Sequence, residues 1–243
     1  MSLDSAFDSP QAKRQYVRGL FATIADRYDL ITAVLSNGQD ARWKKKLVSI
    51  ANVRPGERAL DLAAGTGDIA FAVAARGAKT IGLDITHRML QLARLRSSRA
   101  KAGQTGFVPL INGDMAALPF AGASFDLVTT GYGLRNVPDL NAAIDEIARV
   151  LKPGGRLLSL DFNRPENSMV RGAYLAYLTI VGSTLGWLLH RDPETYRYIP
   201  ASIRRYPGAR GVAERLAARG FDHVAVIPLL FGLMTLHFAE RSR

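Results

Sequence analysis

The sequence predicts an α/β fold, a doubly wound and mostly parallel sheet. An apolar strand, Ala59–Ala63, leads into a glycine turn at Gly65 and Gly67. A helical segment follows, and a second apolar strand ends on Asp84. Further apolar strands alternate with helical segments up to residue 162. Such alternation is typical of a parallel sheet with helices on both faces.

The elements follow in a simple order, and we expect residues 1–243 to form one domain. Helices in residues 1–50 cover the site, and residues 51–163 form the alternating core. Residues 164–207 form an apolar insertion, and residues 208–243 a helix and two strands that pair as a hairpin. Beyond the first two strands, the expected elements are strands at Phe107–Ile111, within 124–134 and at Arg156–Phe162, a helix at Asp139–Leu151, a helix at Gly211–Arg219, and strands at His223–Leu230 and Leu233–Ala239. The Asp139–Leu151 helix should stop at L-K-P-G-G, because proline and glycine end helices.

The glycine turn and the end of the second strand indicate a nucleoside site. Gly65 and Gly67, on either side of Thr66, let the backbone approach a ligand closely. Asp84 can accept hydrogen bonds from ribose hydroxyls. These residues predict a cofactor that contains adenosine.

The charges around the turn favour S-adenosylmethionine over NAD. The turn reads A-A-G-T-G-D and lacks the third glycine of the dinucleotide fingerprint. Asp61 precedes the turn and Asp68 follows it. Two carboxylates repel a pyrophosphate and suit a cationic ligand. S-adenosylmethionine has no phosphate and carries a sulfonium and an ammonium.

Asp114 and Met115 extend this hypothesis, because they follow the third strand. Asp114 can accept from the adenine amino group, and Met115 can cover a face of the ring. Equally, Asp114 can cap the next turn.

The glycine turn, Asp84 and the alternating elements of residues 57–162 resemble those of the class I S-adenosylmethionine-dependent methyltransferases. More specific segments are F-A-T-I-A-D-R-Y-D-L at 21–30, L-S-N-G and R-W-K within 35–44, G-L-R-N-V-P-D at 133–139, R-V-L-K-P-G-G-R-L at 149–157 and Y-R-Y-I-P-A-S-I-R-R-Y-P at 196–207. On these segments, residues 21–238 resemble the UbiE/MenG quinone methyltransferases. The resemblance implies a seven-stranded sheet with one antiparallel strand. It also implies C-methylation of a polyprenylated quinol, most simply demethylmenaquinol, in menaquinone or ubiquinone synthesis.

This resemblance suggests roles for Arg135, Asn136 and Asp161. A ring carbon becomes nucleophilic when a phenolic hydroxyl is deprotonated, so the acceptor should be the reduced quinol. Arg135 can favour the phenolate, Asn136 can hold the same oxygen or a water, and Asp161 is a candidate proton acceptor. The alternatives are a surface ion pair for Arg135, a helix or turn cap for Asn136, and a satisfied loop carboxylate for Asp161.

Five positions depart from the family pattern. The family usually has asparagine at Thr32, histidine at Asp40, glutamate at Asp161 and serine at Asn163, and often serine at Gly131, which we assign to the cofactor site. The departures leave open a methyltransferase for another small molecule. A further alternative is a non-catalytic cofactor-binding subunit of a lipid-biosynthesis assembly. The least favoured alternative is a dehydrogenase, which binding of NADH would identify.

Composition agrees with an enzyme of the cytoplasm. The 243 residues include no cysteine, which excludes disulfides, thiolate catalysis and cysteine zinc sites. The 4 histidines have no metal-ligand spacing, so we expect no metal. The N-terminus lacks an apolar run, so we expect no signal peptide. Oligomeric state is not indicated.

The net charge of +11 suggests an anionic partner. Basic residues cluster at Arg42–Lys46, Arg88–Lys101 and Arg191–Arg210. An anionic membrane surface is the preferred partner, a solvated cationic surface is the next interpretation, and nucleic acid is the least favoured. The uncharged segment Gly172–Leu189 fits an apolar cover or lipid-side wall better than a buried core helix or a true membrane span.

Overall fold

The structure, a computed structural model, describes residues 3–99 and 107–243. Its strands are β1 (Arg58–Leu62), β2 (Lys79–Asp84), β3 (Leu110–Asn112), β4 (Phe125–Gly131), β5 (Leu151–Phe162), β6 (Phe221–Leu229) and β7 (Met234–Arg241). Its α-helices are α1 (Pro10–Ile24), α2 (Tyr28–Leu35), α3 (Asp40–Ile50), α4 (Asp68–Ala74), α5 (His87–Arg99), α6 (Leu140–Val150), α7 (Ser168–His190), α8 (Tyr198–Arg205) and α9 (Gly208–Ala217). Lys101, in the second basic cluster, lies outside the described residues.

All seven strands join one sheet in the order β3-β2-β1-β4-β5-β7-β6. The neighbours from β3 to β5 pair in parallel. Strand β7 is antiparallel to both β5 and β6. The predicted parallel sheet with a C-terminal hairpin is therefore confirmed.

Two strand boundaries differ from the prediction by three residues or more. Strand β3 begins at Leu110 rather than Phe107, because Pro109 has no N–H to donate and uses its carbonyl to accept from Gly82 N at 2.9 Å. Strand β5 begins at Leu151, where that residue pairs with Phe125 before an irregularity in the register. The L-K-P-G-G run thus belongs to β5, while helix α6 ends at Val150 as the proline and glycines require.

The two faces of the sheet are covered by different helices. Leu60 and Leu62 of β1 are fully buried on one face, against α6 and α9. Ala59 points to the other face, where side chains of α3 and α4 complete a second apolar cluster. The alternation along β1 follows from the two-residue period of a strand. Both faces are buried, as parallel strands require.

Helix α7 has one packed face and one exposed face. Tyr174, Leu175 and Leu178 are buried in a cluster with Ile203 of α8. The exposed large apolar side chains of α7 are those of Met169, Val170, Tyr177, Ile180, Trp187 and Leu188. By length and composition this helix could cross a membrane, and 28% of its most apolar 18-residue window is buried.

Asn163 has a structural role at the end of β5. Its Nδ2 donates to Gly232 O at 2.7 Å, and its Oδ1 accepts from Ala209 N at 2.7 Å. The side chain thereby joins β5 to the start of α9 and to the turn before β7. A serine is shorter and would have to donate and accept through the same oxygen, so it could not reach both groups as the two ends of the amide do. The departure at this position is accounted for by these two bonds.

We predict that Asn163→Ala lowers the free energy of unfolding by about 1–3 kcal/mol, because two partly buried backbone groups lose their partners. Urea unfolding measures the change, which should appear in the midpoint with an unaltered slope. Asn141→Ala, at an exposed position of α6, is the matched control. Equal losses in the two variants would contradict this role.

Candidate functional site

A cleft lies at the carboxyl ends of β1, β2 and β4. It contains about 670 Å³ of empty space, including a part open to solvent. We name it the sheet-edge cleft. Of the residues predicted to bind a cofactor, Gly65, Asp84, Asp114, Met115 and Gly131 line it. Parallel pairing explains why segments far apart in sequence meet there.

Asp84 and Gly65 form the floor of this cleft. Asp84 Oδ2 accepts from Gly65 N at 2.8 Å, and Oδ1 accepts from Thr86 N at 2.7 Å. Burial raises the pKa of Asp84. A carboxylate has about four lone-pair sites, so after these bonds and one to the Thr86 hydroxyl it can still accept from a hydroxyl donor. A Cβ added to Gly65 would find nothing nearer than Ala63 O, at 3.9 Å, so the turn borders free space of the kind a nucleoside needs.

A smaller recess continues from the cleft and carries both signs of charge. Gly65 and Gly131 line both spaces. Around the recess stand the side chains of Lys44, Asp61, Thr66 and Asp68. We name it the charged recess. Facing carboxylates and an ammonium suit the two charges of an amino-acid moiety.

Asp61 is buried at the inner end of the recess. Thr129 Oγ1 donates to its Oδ1 at 2.7 Å, across the register that pairs the two residues. Burial raises the pKa of Asp61 to about 7. A cation in the recess would favour the ionised form.

Gly67 and Gly131 have steric reasons to be glycine. Gly67 lines neither the cleft nor the recess, and its φ of +90° is a conformation that side chains rarely adopt. A Cβ there would also collide with the Phe71 ring. At Gly131 a Cβ would stand 2.8 Å from Ile69 Cδ1. The glycine where the family often has serine thus fits the packing of Ile69.

Asp114 combines both interpretations of its loop. Its Oδ1 accepts from Ala116 N at 2.9 Å, as a turn cap does, while the residue also lines the cleft. Arg14 Nε of α1 lies 2.8 Å from Asp114 Oδ2. The N-terminal helices were predicted to cover the site, but this contact was not predicted, because nothing in the sequence singles out Arg14.

An apolar cavity lies beside the cleft, between the N-terminal helices and α7. It contains about 1230 Å³ of empty space, again partly open to solvent. We name it the apolar cavity. Its lining includes Leu20, Phe21, Ile24, Tyr28, Ile31, Thr32, Leu35, Tyr132, Arg135, Phe162, Tyr174, Tyr177, Tyr198, Leu230 and Phe231. The unusual Thr32 is therefore a cavity residue.

Arg135 and Asp161 form a buried ion pair at the wall of the apolar cavity. Asp161 accepts from Arg135 Nε at 3.3 Å, from Arg135 N at 3.0 Å and from Phe162 N at 2.8 Å. Arg135 also donates to Ser202 Oγ, and its guanidinium lies 5.1 Å from the centre of the Phe162 ring. Arg135 lines the cavity, whereas Asp161 lines none of the three spaces.

Asn136 faces the sheet-edge cleft rather than the apolar cavity. Its Nδ2 donates to Tyr132 O at 2.6 Å. Its Oδ1 is buried and has no hydrogen-bond partner among residues 3–99 and 107–243. A buried acceptor without a partner is costly, and a ligand donor in the cleft would satisfy it.

Three tyrosines line the site but were not identified as site residues from the sequence. Tyr28 and Tyr132 line the cleft, the recess and the apolar cavity alike. Tyr198 lines the apolar cavity, and within the described part of the chain its buried hydroxyl has no partner. Tyr28 and Tyr198 stand in the family-like segments at 21–30 and 196–207, and that position was the available signal.

Solved structures of methyltransferases share this fold. A possible histamine N-methyltransferase from Thermotoga maritima matches with a TM-score of 0.62 and 18% identity, over 92% of this chain and 99% of that one. An S-adenosylmethionine-dependent methyltransferase described as putative, from Methanococcus maripaludis, also has a TM-score of 0.62, with 16% identity over 91% of this chain and 94% of that one. At these identities the likeness concerns the fold alone.

Relatives found by sequence are more similar to this chain than these two structures are. A demethylmenaquinone methyltransferase of Mycobacterium sp. (strain KMS) is 39% identical over 93% of this chain and 94% of its own length. The ubiquinone/menaquinone biosynthesis C-methyltransferase UbiE of Teredinibacter turnerae is 37% identical, over 95% and 93%. The model of the ubiE/COQ5 methyltransferase family matches residues 9–241. The chain belongs to the ubiE/COQ5 methyltransferase family.

Proposed function

We propose that this chain transfers a methyl group from S-adenosylmethionine to a ring carbon of a reduced prenylated quinol, with demethylmenaquinol as the preferred acceptor. One observation carries the proposal: a cleft suited to a nucleoside adjoins a large apolar cavity, and Phe21, Tyr28 and Tyr132 line both. The names of the relatives, which specify menaquinone or ubiquinone synthesis, support the choice of acceptor.

The residues present fit the cofactor. Asp84 would hold the ribose, Asp114 and Met115 the adenine, and Asp61 the ammonium in the charged recess. Gly65, Thr66, Gly67 and Gly131 would shape the turn and the wall around it. Bound there, S-adenosylmethionine would supply an electrophilic methyl group on a sulfonium.

Arg135 would act on the acceptor. Its permanent charge at the cavity wall favours a phenolate over a phenol, and its N–H groups can donate to the phenolate oxygen. The phenolic proton would pass to solvent, to which the cavity is partly open. The ring carbon would then gain the methyl group as the carbon–sulfur bond breaks and the sulfonium becomes a neutral thioether. The ring proton would return to the phenolate oxygen through solvent, so that one proton is released in all and nothing is oxidised or reduced. Among the described residues, the buried Tyr198 hydroxyl at the cavity wall has no partner and could hold a second group of the ring, whereas Asn136 Oδ1 faces the sheet-edge cleft.

Asp161 is better suited to position Arg135 than to take a proton from the acceptor. It lines neither cavity, and three N–H groups of Arg135 and Phe162 already donate to it. Breaking such a buried pair leaves an uncompensated charge. We therefore assign Asp161 the role of fixing the guanidinium.

The apolar cavity would take the acceptor and the first part of its prenyl tail. Burial of apolar surface contributes about 25 cal/mol per Å². Tyr177, Leu230 and Phe231 both line the cavity and are exposed, so the tail can leave past them. The Phe231 side chain is fully exposed and the residue has a φ of +54°.

We also propose that the exposed face of α7 and the Leu230–Phe231 tip rest on the inner face of the membrane, where a cytoplasmic enzyme meets its lipid substrate. Ile180 and Trp187 are 67% and 63% exposed. Large apolar groups in such positions partition into the boundary between headgroups and acyl chains. The net charge of +11 adds attraction to anionic lipids.

We predict that purified protein converts demethylmenaquinol and methyl-labelled S-adenosylmethionine into menaquinol under reducing conditions. Mass spectrometry should show one added ring methyl, and none when the quinone stays oxidised. If the cofactor binds but neither this acceptor nor the benzoquinol precursor is methylated, the proposed acceptor class is wrong.

Arg135→Ala should lower turnover by about a hundredfold or more while cofactor affinity changes little, because the guanidinium acts on the acceptor.

We predict that Ile180→Glu and Trp187→Glu each weaken binding to phosphatidylglycerol vesicles by about tenfold, since each removes an apolar side chain from the lipid boundary. Sedimentation with vesicles measures binding, and turnover on a short-chain acceptor should persist. Leu95→Glu, an exposed leucine of α5, is the matched control. Losses of equal size in all three variants would argue against this face.

A further inference from the structure

Tyr132 stands where the cleft, the recess and the apolar cavity meet. We propose that Tyr132 is a positioning residue for methyl transfer, held in place by a polar chain through Asp40, Lys44 and Asp68. This inference rests on the proposed function, since it concerns the geometry between cofactor and acceptor. Its ring would separate the two ligands except at the point of transfer.

The backbone of Tyr132 is held in an unusual conformation. Its φ is +62°, a left-handed value that is rare for a bulky residue. Tyr132 N donates to Leu160 O at 2.7 Å, and its carbonyl accepts from Asn136 Nδ2 at 2.6 Å. Residues kept in such conformations cluster at functional sites, where the surrounding structure over-determines them. The direction of the Tyr132 side chain is thus fixed at its base.

The far end of the side chain is fixed as well. Tyr132 OH donates to Asp40 Oδ1 at 2.6 Å. The ring also packs against Phe162, with 5.6 Å between ring centres. Since Phe162 contacts the Arg135 guanidinium as well, the ring lies in one packed set with the residue assigned to the acceptor.

Asp40 is tied in turn to the cofactor side. Lys44 Nζ lies 2.7 Å from Asp40 Oδ2 and 2.7 Å from Asp68 Oδ2. Asp68 begins α4 directly after the glycine turn, and Arg96 NH1 lies 2.5 Å from its Oδ1. The chain of contacts therefore runs from the wall of the apolar cavity to the loop that would hold the cofactor. The side chains of Lys44, Asp40 and Asp68 are 12%, 13% and 25% exposed, which strengthens the two ion pairs of Lys44.

Asp40 stands where the family usually has histidine. A carboxylate accepts from the tyrosine hydroxyl and pairs with Lys44 at the same time, using both of its oxygens. A neutral histidine could accept from the tyrosine hydroxyl but could not form an ion pair with Lys44, and a protonated histidine could do neither. The Asp40 carboxylate and the Tyr132 hydroxyl together fix the side chain at the point where the three spaces meet. The departure from the family pattern at Asp40 thus belongs to the positioning of Tyr132.

The test compares Tyr132→Phe, Asp40→Asn and the double variant with the unaltered chain. Single-turnover methyl transfer to demethylmenaquinol gives the rate, and titration gives the affinity for S-adenosylmethionine. Tyr132→Phe should slow transfer by about tenfold, because a charge-assisted hydrogen bond that fixes the ring is lost. Cofactor affinity and the midpoint of thermal unfolding should change little. Tyr16→Phe, a half-buried tyrosine of α1, serves as the matched control.

The double variant separates positioning from general damage. If one hydrogen bond joins the two side chains, the double variant should be about as slow as the slower single variant. Transfer at the unaltered rate in Tyr132→Phe would overturn the proposal, and so would a loss confined to cofactor affinity. An unaltered chain without turnover on the quinol would instead overturn the proposed function.

Discussion

Backbone hydrogen bonds that align β1, β2, β4 and β5 in parallel bring the carboxyl ends of these strands to one edge of the sheet. Gly65, Asp84, Gly131 and Arg135 follow or end those strands, so the register alone brings them together. The N-terminal helices and α7 then enclose the same edge. Every proposed role depends on this alignment, since a shift of one residue in a strand would turn its side chains to the opposite face.

Burial then decides which polar groups remain available to a ligand. Arg135 and Asp161 are 4% and 1% exposed, and their charges are compatible with that burial because they are paired. The pairing occupies the Asp161 carboxylate and leaves the guanidinium at the cavity wall. By contrast, Asn136 Oδ1 and Tyr198 OH are buried without partners among the described residues. The site thus presents a fixed cation and an unsatisfied hydroxyl at the apolar cavity, and an unsatisfied amide oxygen at the sheet-edge cleft beside it.

Much of the fold could be predicted from the sequence, because local patterns of residues indicate its strands and turns. The glycine turn and Asp84 were predicted to share one site, and the structure brings them into contact, while apolar runs predicted the strands. Tyr132 and Asp40 could not be paired from sequence, since 92 residues separate them and no periodic pattern links α3 to β4. The orientation of Asp161 could not be predicted for a similar reason. A carboxylate at a strand end has the same sequence pattern whether it faces a ligand or a neighbouring arginine.

The most direct measurement is a crystal structure with S-adenosylhomocysteine and a short-chain demethylmenaquinone bound. We expect the ribose within hydrogen-bond distance of Asp84 and the quinone ring in the apolar cavity. A ring oxygen should lie beside the Arg135 guanidinium, with the cofactor sulfur facing the ring past Tyr132. A ring bound outside that cavity, or adenosine bound away from the sheet-edge cleft, would contradict the account.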